Sequence, residues 1–234
     1  MDLAELAEVG GFFALRAEVP DAAYTPLATV YAAEAAPAGP GPLARRVDAV
    51  AARLRAPERR VAASIAHLGL AARLWSVGLG AAALHGRVPD LDAERLHWDP
   101  ARTSPDDLRL APGASTLPGT ADAVRESVQY GHLVPLAQAL RRDVRISPQL
   151  LWGNAGSALA GAVRQLHAWA RQADRPDVAE RASALAAELF AHPDLSGTVE
   201  GPAMRRRSCC LYYRCPGGGL CGDCVFDSPP GRAP

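Results

Sequence analysis

The sequence predicts a mainly α-helical protein of the α+β class, with one small β-hairpin and an irregular C-terminal segment. Apolar residues recur every three or four positions through most of the region from 42 to 191, and this pattern changes to simple alternation between 90 and 120. All five cysteines lie between residues 209 and 224 of the 234-residue chain. We therefore divide the chain into a mostly helical body, residues 1–200, and a C-terminal cysteine-bearing segment, residues 201–234.

Basic and acidic side chains are balanced, at 25 each. Because this balance gives no overall field that would attract nucleic acid, we expect no nucleic-acid partner. The N-terminus carries acidic residues where a secretory signal would carry positive charge, which predicts a cytoplasmic protein. The apolar segment 61–84 is interrupted by His67 and Arg73 and is rich in alanine and glycine, so it favours a buried helix and we expect no transmembrane segment.

The first strong helical pattern covers residues 42–55, PLARRVDAVAARLR. Its apolar stripe consists of Leu43, Val47, Val50 and Leu54. Pro57 separates this helix from the apolar segment 61–84, which we interpret as a longer helix that ends at Gly86. The stretch 34–42, EAAPAGPGP, is typical of a linker.

Residues 90–120 predict a hairpin, because ERLHWDP and DDLRLAP each alternate apolar and polar residues. Thr120 is suited to cap the helix that follows, ADAVRESVQYGHLVPLAQALRRDV. We expect a kink in that helix at Pro135, since proline cannot donate the backbone hydrogen bond of a regular helical turn.

Two more helices complete the body. Ser147 and Pro148 form a start signal for the helix SPQLLWGNAGSALAGAVRQLHAWARQA. Three small residues stand four apart on it: Gly153, Ser157 and Gly161. They predict a close approach by another element, most simply another helix. The last helix covers 177–191 and ends at His192, and the periodicity disappears after Gly197.

The cysteine segment holds four thiols in the pattern Cys-Cys-x10-Cys-x2-Cys: Cys209, Cys210, Cys221 and Cys224. Four soft thiolates select zinc, copper(I) or an iron-sulfur cluster. A disulfide framework is disfavoured by the odd number of cysteines and by the expected lack of an export signal. The Cys-x2-Cys pair favours zinc and the glycine-rich turn favours a 2Fe-2S cluster, so spacing alone leaves both open.

Two stretches carry a resemblance to a known family. RRRSCCLYYRCPGGGLCGDC (205–224) resembles the C-terminal cluster segment of the FhuF-like ferric iron reductases, in its cysteine spacing and in its setting of arginines, LYYR and glycines. LLWGNAGSALAGA (150–162) is similar to the Trp-Gly-Asn helix of the same family. The first 145 residues are supported only by a generic helical pattern.

The resemblance implies a cytoplasmic oxidoreductase that holds a 2Fe-2S cluster on Cys209, Cys210, Cys221 and Cys224 and binds a ferric siderophore through the body, residues 1–200. It implies a substrate of the hydroxamate type, whose hard oxygens hold iron(III) more tightly than iron(II), so that reduction releases the iron. We expect a separate electron donor, because no glycine-rich phosphate loop follows a strand. Peripheral association with a membrane stays open.

Two alternative functions also stay open at this point. One is a non-catalytic iron-binding, siderophore-binding or redox-sensing protein, and the other is a structural zinc protein. The colour of the purified protein distinguishes zinc from iron-sulfur, and oxidation of a reduced cluster by a ferric chelate distinguishes a reductase from a sensor.

For several residues of the cysteine segment, the sequence allows two interpretations. Four arginines either raise the reduction potential of an anionic cluster or pair with acidic residues on the surface: Arg205, Arg206, Arg207 and Arg214. Cys215 is either a small buried residue or a replacement ligand. Tyr212 and Tyr213 either shield a cluster from water or pack against the helices.

Residues of the helices carry paired interpretations as well. Trp152 and Asn154 either line a siderophore pocket or serve the core and a neighbouring loop. His132 and His167 are interpreted as structural or surface residues, although they lie in the helices nearest the expected site.

Overall fold

The computed structural model describes residues 1–32 and 39–230. Most of the expected linker, residues 34–38 of the stretch 34–42, lies outside these ranges. The helices are α1 (Leu3–Glu8), α2 (Leu27–Ala32), α3 (Pro42–Leu54), α4 (Arg59–His85), α5 (Ala121–Val124), α6 (Val134–Asp143), α7 (Pro148–Gln172) and α8 (Pro176–Ala191). The predicted mainly helical fold class is confirmed.

Helix α4 forms the centre of the body, and α3, α7 and α8 pack against it. Among the residues described, it is the one helix long and apolar enough to cross a membrane, with a mean hydropathy of 1.2 over 18 residues, yet 78% of that window is buried inside the protein. Its alanine and glycine residues let neighbouring backbones approach closely. The helix ends, as predicted, at Gly86, whose φ of +64° is left-handed and favours glycine.

The predicted hairpin is formed by β4 (Leu96–Trp98) and β5 (Leu108–Leu110), which pair antiparallel. It is the middle of a four-stranded sheet in the order β1-β5-β4-β2, where β1 is Arg16–Ala17 and β2 is Thr25–Pro26. The sequence analysis missed these outer strands because two residues are too few to show alternation.

Besides the predicted hairpin, the structure contains two separate two-stranded ribbons. Strand β3 (Arg87–Pro89) pairs antiparallel with β6 (Thr116–Pro118). Strand β7 (Val199–Glu200) pairs antiparallel with β8 (Arg205–Arg206), directly ahead of the cysteines. The C-terminal segment, which begins at residue 201, contributes only β8 to this ribbon, and apart from a short 3-10 turn its described residues are irregular, as predicted.

The helix that begins after Thr120 is interrupted ahead of Pro135. The Thr120 hydroxyl accepts a hydrogen bond from the Ala123 N–H at 3.2 Å, which confirms the predicted cap. Residues Arg125–Leu133 form a π-helix, and α-helix resumes at Val134. A wider π turn ahead of Pro135 accommodates a ring that cannot donate to the preceding turn. Ser147, in contrast, precedes α7 without a capping bond from its side chain.

A buried ion pair ties the N-terminal residues and the sheet to α4. Arg73 is 1% exposed, and its Nε donates to the Asp107 carboxylate at 2.8 Å. The same guanidinium donates to the carbonyls of Gly11 at 3.1 Å and Ala14 at 2.7 Å. One charged side chain of the central helix therefore ties the sheet, through Asp107, and the backbone of residues 11–14 to α4.

We expect Asp107→Asn to lower the free energy of unfolding by about 3–5 kcal/mol, because it leaves the Arg73 charge buried and unpaired. The neighbouring substitution Asp106→Asn is a matched control. Asp106 pairs with Arg16 at the surface, with both side chains about half exposed, so its loss should cost less than about 1 kcal/mol. Urea denaturation of the three proteins measures both effects, and equal stabilities for the two variants would contradict this role of Arg73.

Candidate metal centre

The chain reverses direction between its two cysteine pairs. Cys209 and Cys210 follow β8, and Leu211 then takes a left-handed conformation with φ of +69°. A short 3-10 turn, Tyr212–Arg214, leads to Cys215. Cys221 and Cys224 close a further turn, in which the Cys224 N–H donates to the Cys221 carbonyl at 3.1 Å.

This reversal brings the two pairs together. The sulfur atoms of Cys210 and Cys221 lie 3.8 Å apart. Backbone N–H groups point at two other sulfurs, from Leu211 to Cys209 Sγ at 3.2 Å and from Phe226 to Cys224 Sγ at 3.5 Å. Thiols in pairs, with N–H donors directed at the sulfurs, are what an iron-sulfur cluster requires of its protein.

The thiols of this group affect one another's ionisation. A hydrogen bond from the Cys221 thiol lowers the pKa of Cys210 to about 7, and the same bond raises the pKa of Cys221 above its usual range. Burial raises the pKa of Cys209. Since metals bind thiolates, the Cys210 sulfur is prepared for ligation near neutral pH.

Cys215 stands apart from this coupled group. It is 5% exposed, and burial is what raises the pKa of its thiol. The chain turns tightly beside it, since a Cβ built on Gly218 would lie 2.9 Å from the Cys215 carbonyl oxygen. All five cysteines are free thiols in the structure. Within residues 1–32 and 39–230, no three His, Cys, Asp or Glu side chains are gathered around one metal position.

A chain of buried hydrogen bonds fixes the first cysteine pair to the helices. The Ser64 hydroxyl of α4 donates to the Cys210 carbonyl at 2.8 Å. Asn154 of α7 donates from Nδ2 to the Ser64 carbonyl at 2.9 Å, and its Oδ1 accepts from Arg206 Nη2 at 2.5 Å. Of the two interpretations of Asn154, the structure supports the bond to a neighbouring loop, because this side chain is fully buried between α4 and the cysteine segment.

Small residues of α7 let the C-terminal segment lie directly on the helix. A Cβ built on Gly153 would lie 1.8 Å from Ser208 Oγ, and one on Gly156 would lie 2.1 Å from Thr198 Oγ1. The Ser157 hydroxyl donates to the Asp223 carboxylate at 2.5 Å. The expectation that another helix covers Gly153 and Ser157 is therefore wrong, since the cysteine segment covers them. Gly161 has no such neighbour among the described residues, where the nearest side chain is Arg164 of the same helix.

Two family models match the chain. One, described as a ferric iron reductase FhuF-like transporter, matches residues 70–207. The other, described as the FhuF 2Fe-2S C-terminal domain, matches residues 206–226. The chain belongs to the FhuF-like ferric iron reductase family. A search of curated proteins finds no match. The FhuF cofactor is a 2Fe-2S cluster, and the matched C-terminal domain contains all five cysteines.

One of the four arginines differs from its neighbours in having no acidic partner among the described residues. Arg206 is 1% exposed, and no carboxylate of the described residues pairs with it. Its Nε donates to the Ser208 carbonyl at 2.6 Å, while its Nη1 is buried without a hydrogen-bond partner. Its positive charge favours the thiolate forms of Cys209 and Cys210. A buried cation without an anion is costly, so the donor set fits an anionic cluster held here.

The other arginines follow the surface interpretation. Arg205 pairs with Asp227 at 2.9 Å, Arg207 with Glu200 at 3.5 Å and Arg214 with Glu58 at 2.5 Å. Their side chains are between about one third and two thirds exposed. Water and the acidic partners therefore screen these charges, although Arg205 Nε also donates to the Cys224 carbonyl at 3.0 Å. Arg206 is the arginine of the four that is buried beside the thiols.

The histidines singled out from the sequence do not face the cysteines. His132 is buried and bonds to the Tyr31 hydroxyl at 3.0 Å and the Leu91 carbonyl at 2.6 Å. His167 bonds to the Ser183 hydroxyl at 2.9 Å on the surface. A histidine that the sequence analysis treated only as an interruption, His67, is buried, and burial together with the charge of Arg206 lowers its pKa to about 3.

The aromatic residues divide between packing and a cavity. Tyr213 packs edge-on against Phe226 of the same segment, with ring centroids 5.8 Å apart, so this ring contact lies within the cysteine segment and is not made with the helices. Trp152 lines a cavity beside Ser208, together with residues of the loop that follows α8. The remaining contacts of the site had no signal in the sequence, since Ser64 and Asp223 belong to no spacing pattern.

We expect Arg206→Gln to lower the midpoint potential of the cluster by on the order of 100 mV. Unit charges several ångströms apart at an effective dielectric constant of about 20 interact by roughly 2–4 kcal/mol, and about 1.4 kcal/mol corresponds to ~59 mV for one electron. Arg206→Lys keeps the charge and should retain most of the potential. Arg207→Gln is the exposed control and should change it little. Redox titration followed by EPR measures all four proteins, and equal shifts for Arg206→Gln and Arg207→Gln would contradict the assignment.

Proposed function

We propose that this protein reduces ferric siderophores of the hydroxamate type and releases ferrous iron in the cytoplasm. The observation that carries the proposal is the contact of the two cysteine pairs beside the buried, acid-free Arg206, in a chain of the ferric iron reductase family. A thiolate cluster next to a buried cation is an electron carrier whose reduced form is stabilised.

The ligands in this proposal are Cys209, Cys210, Cys221 and Cys224. Three of these thiols influence one another's pKa values, and Cys224 contributes to the pKa of Cys209. Cys215 serves as a buried residue of the turn, not as a ligand. The body, residues 1–200, supplies the substrate-binding surface, and residues 201–234 supply the cluster.

The cluster, when bound, supplies one electron to iron(III). The chain's own residues prepare this transfer. Arg206 favours the more negative, reduced charge state, and the bonds from Ser64 and Asn154 hold the first cysteine pair in place. Reduction releases the metal because hydroxamate oxygens bind iron(II) weakly. The electron comes from a separate one-electron donor protein, and the reaction takes place free in the cytoplasm or at the inner face of a membrane.

If the ligand assignment is right, Cys→Ser at position 209, 210, 221 or 224 loses or weakens the cluster, because a hydroxyl is a poor ligand for iron in this setting. Cys215→Ser should keep it, with a full complement of iron. Iron and sulfide analysis with the visible spectrum of each anaerobically purified variant decides the matter. A colourless Cys215→Ser protein would overturn the assignment.

Reductase activity makes a direct prediction for the reduced protein. After reduction by dithionite and removal of the excess, a ferric trihydroxamate should reoxidise the cluster, and one ferrous ion should appear per electron given up. A stopped-flow record of cluster absorbance, with a ferrous chelator present, follows both products. The gallium(III) trihydroxamate, which cannot accept an electron, is the control. Failure of the ferric complex to oxidise the cluster would favour a sensor.

A further inference from the structure

A cavity of about 610 Å³ opens beside the first cysteine pair. Its walls are the first two turns of α7, the loop 193–198 that follows α8, and Arg207 with Ser208 at the end of β8. Its volume lies in the range of cavities that hold small-molecule ligands. Ser208 directly precedes Cys209, so a molecule in this cavity would lie against the segment that carries the thiols.

The side of the cavity nearest the thiols is formed where the cysteine segment meets α7. Gly153 has no side chain there, and this is what lets Ser208 lie on the helix. The Ser208 Oγ is turned toward the α7 backbone at Gly153 and is closed off from the cavity. Ser208 therefore contributes the rest of its surface to the wall, directly ahead of Cys209.

The remaining lining is mixed and nearly neutral. Trp152 presents an aromatic surface, and Pro148 and Pro193 add apolar area. Arg207 contributes a positive charge and Asp194 a negative one, and the Asp194 carboxylate accepts a hydrogen bond from Gln129 at 2.8 Å. Such a lining suits an uncharged ligand that has both apolar and polar surface.

Charge distinguishes the main kinds of ferric chelate. Three hydroxamates neutralise iron(III), so a ferric trihydroxamate has an uncharged metal centre. A tris-catecholate complex keeps a large negative charge, which would need several cations to replace its hydration. The cavity lining includes one arginine, Arg207, which also pairs with Glu200, and one aspartate, Asp194, but no group of cations, so it matches the first class.

We propose that this cavity, beside Ser208 and lined by Trp152, is the binding site for the ferric hydroxamate. The site rests on the proposed function, since it names where that substrate lies. A chelate bound here touches the residues next to Cys209, so electron transfer needs no large movement of the chain. The exposed arginine and aspartate at its walls then favour the neutral complex over the strongly anionic one.

The test uses the cluster-loaded protein and gallium(III) complexes, because they bind like ferric complexes without accepting an electron. Isothermal titration with the gallium trihydroxamate should show binding that is at least about tenfold weaker after Gln149→Trp, which fills the cavity from an exposed position, and after Trp152→Ala. A tenfold loss corresponds to about 1.4 kcal/mol. Matched controls on the same helix are Gln172→Trp and Trp169→Ala, which lie outside the cavity and should bind like the unaltered protein. The gallium tris-catecholate should bind at least about tenfold more weakly than the trihydroxamate.

The outcomes separate the site from the function. If the cavity variants bind and reduce the trihydroxamate as well as the unaltered protein does, the cavity is not the site and the proposed function stands. If the unaltered protein neither binds the gallium complex nor is oxidised by the ferric one, both fail. Weaker binding and a raised KM confined to the two cavity variants, with unchanged iron content and visible spectra, support the site.

Discussion

The burial of one guanidinium, that of Arg206, is the constraint around which the site is arranged. The charge is withdrawn from water and no carboxylate of the described residues balances it. Among the described residues its guanidinium donates two side-chain hydrogen bonds, to Asn154 Oδ1 and to the Ser208 carbonyl. Asn154 in turn bonds to Ser64, and Ser64 bonds to the Cys210 carbonyl. A protein keeps such a charge when something anionic belongs beside it. Thiolates and the cluster they hold meet that requirement.

The helical body is built to let the cysteine segment approach. Alanine and glycine residues give α4 and α7 little side-chain bulk, which leaves room for the side chains of neighbouring elements. At Gly153 even a methyl group would collide with Ser208 of the segment, and at Gly156 it would collide with Thr198 of the loop that leads to it. The Trp-Gly-Asn stretch therefore has three distinct roles in one helical turn. Its tryptophan lines a cavity, its glycine admits Ser208, and its asparagine binds Arg206 and Ser64.

Periodicity and spacing predicted much of this from the sequence, and their limits have physical causes. Helices α3, α4, α7 and α8 were predicted because each buries one stripe or is apolar throughout. The spacing of the apolar residues along the sequence follows directly from that burial. Strands β1 and β2 were missed because each consists of only two residues, which pair with distant strands. Two residues are too few to show the alternation of apolar and polar residues that marks a strand. The cysteines were found by number and type. The way the segment lies on α7 decides which of the four neighbouring arginines is buried. A run such as RRR does not distinguish the buried arginine from the exposed ones.

A crystal structure of the cluster-loaded protein is the most direct test of this arrangement. It should show a 2Fe-2S cluster on Cys209, Cys210, Cys221 and Cys224, with Arg206 Nη1 donating a hydrogen bond to a sulfur of the cluster or of a ligand. Cys215 should lie free of the metal, and the bond from Arg206 to Asn154 should persist. A cluster that includes Cys215, or an Arg206 side chain turned away to pair with a carboxylate, would contradict the account.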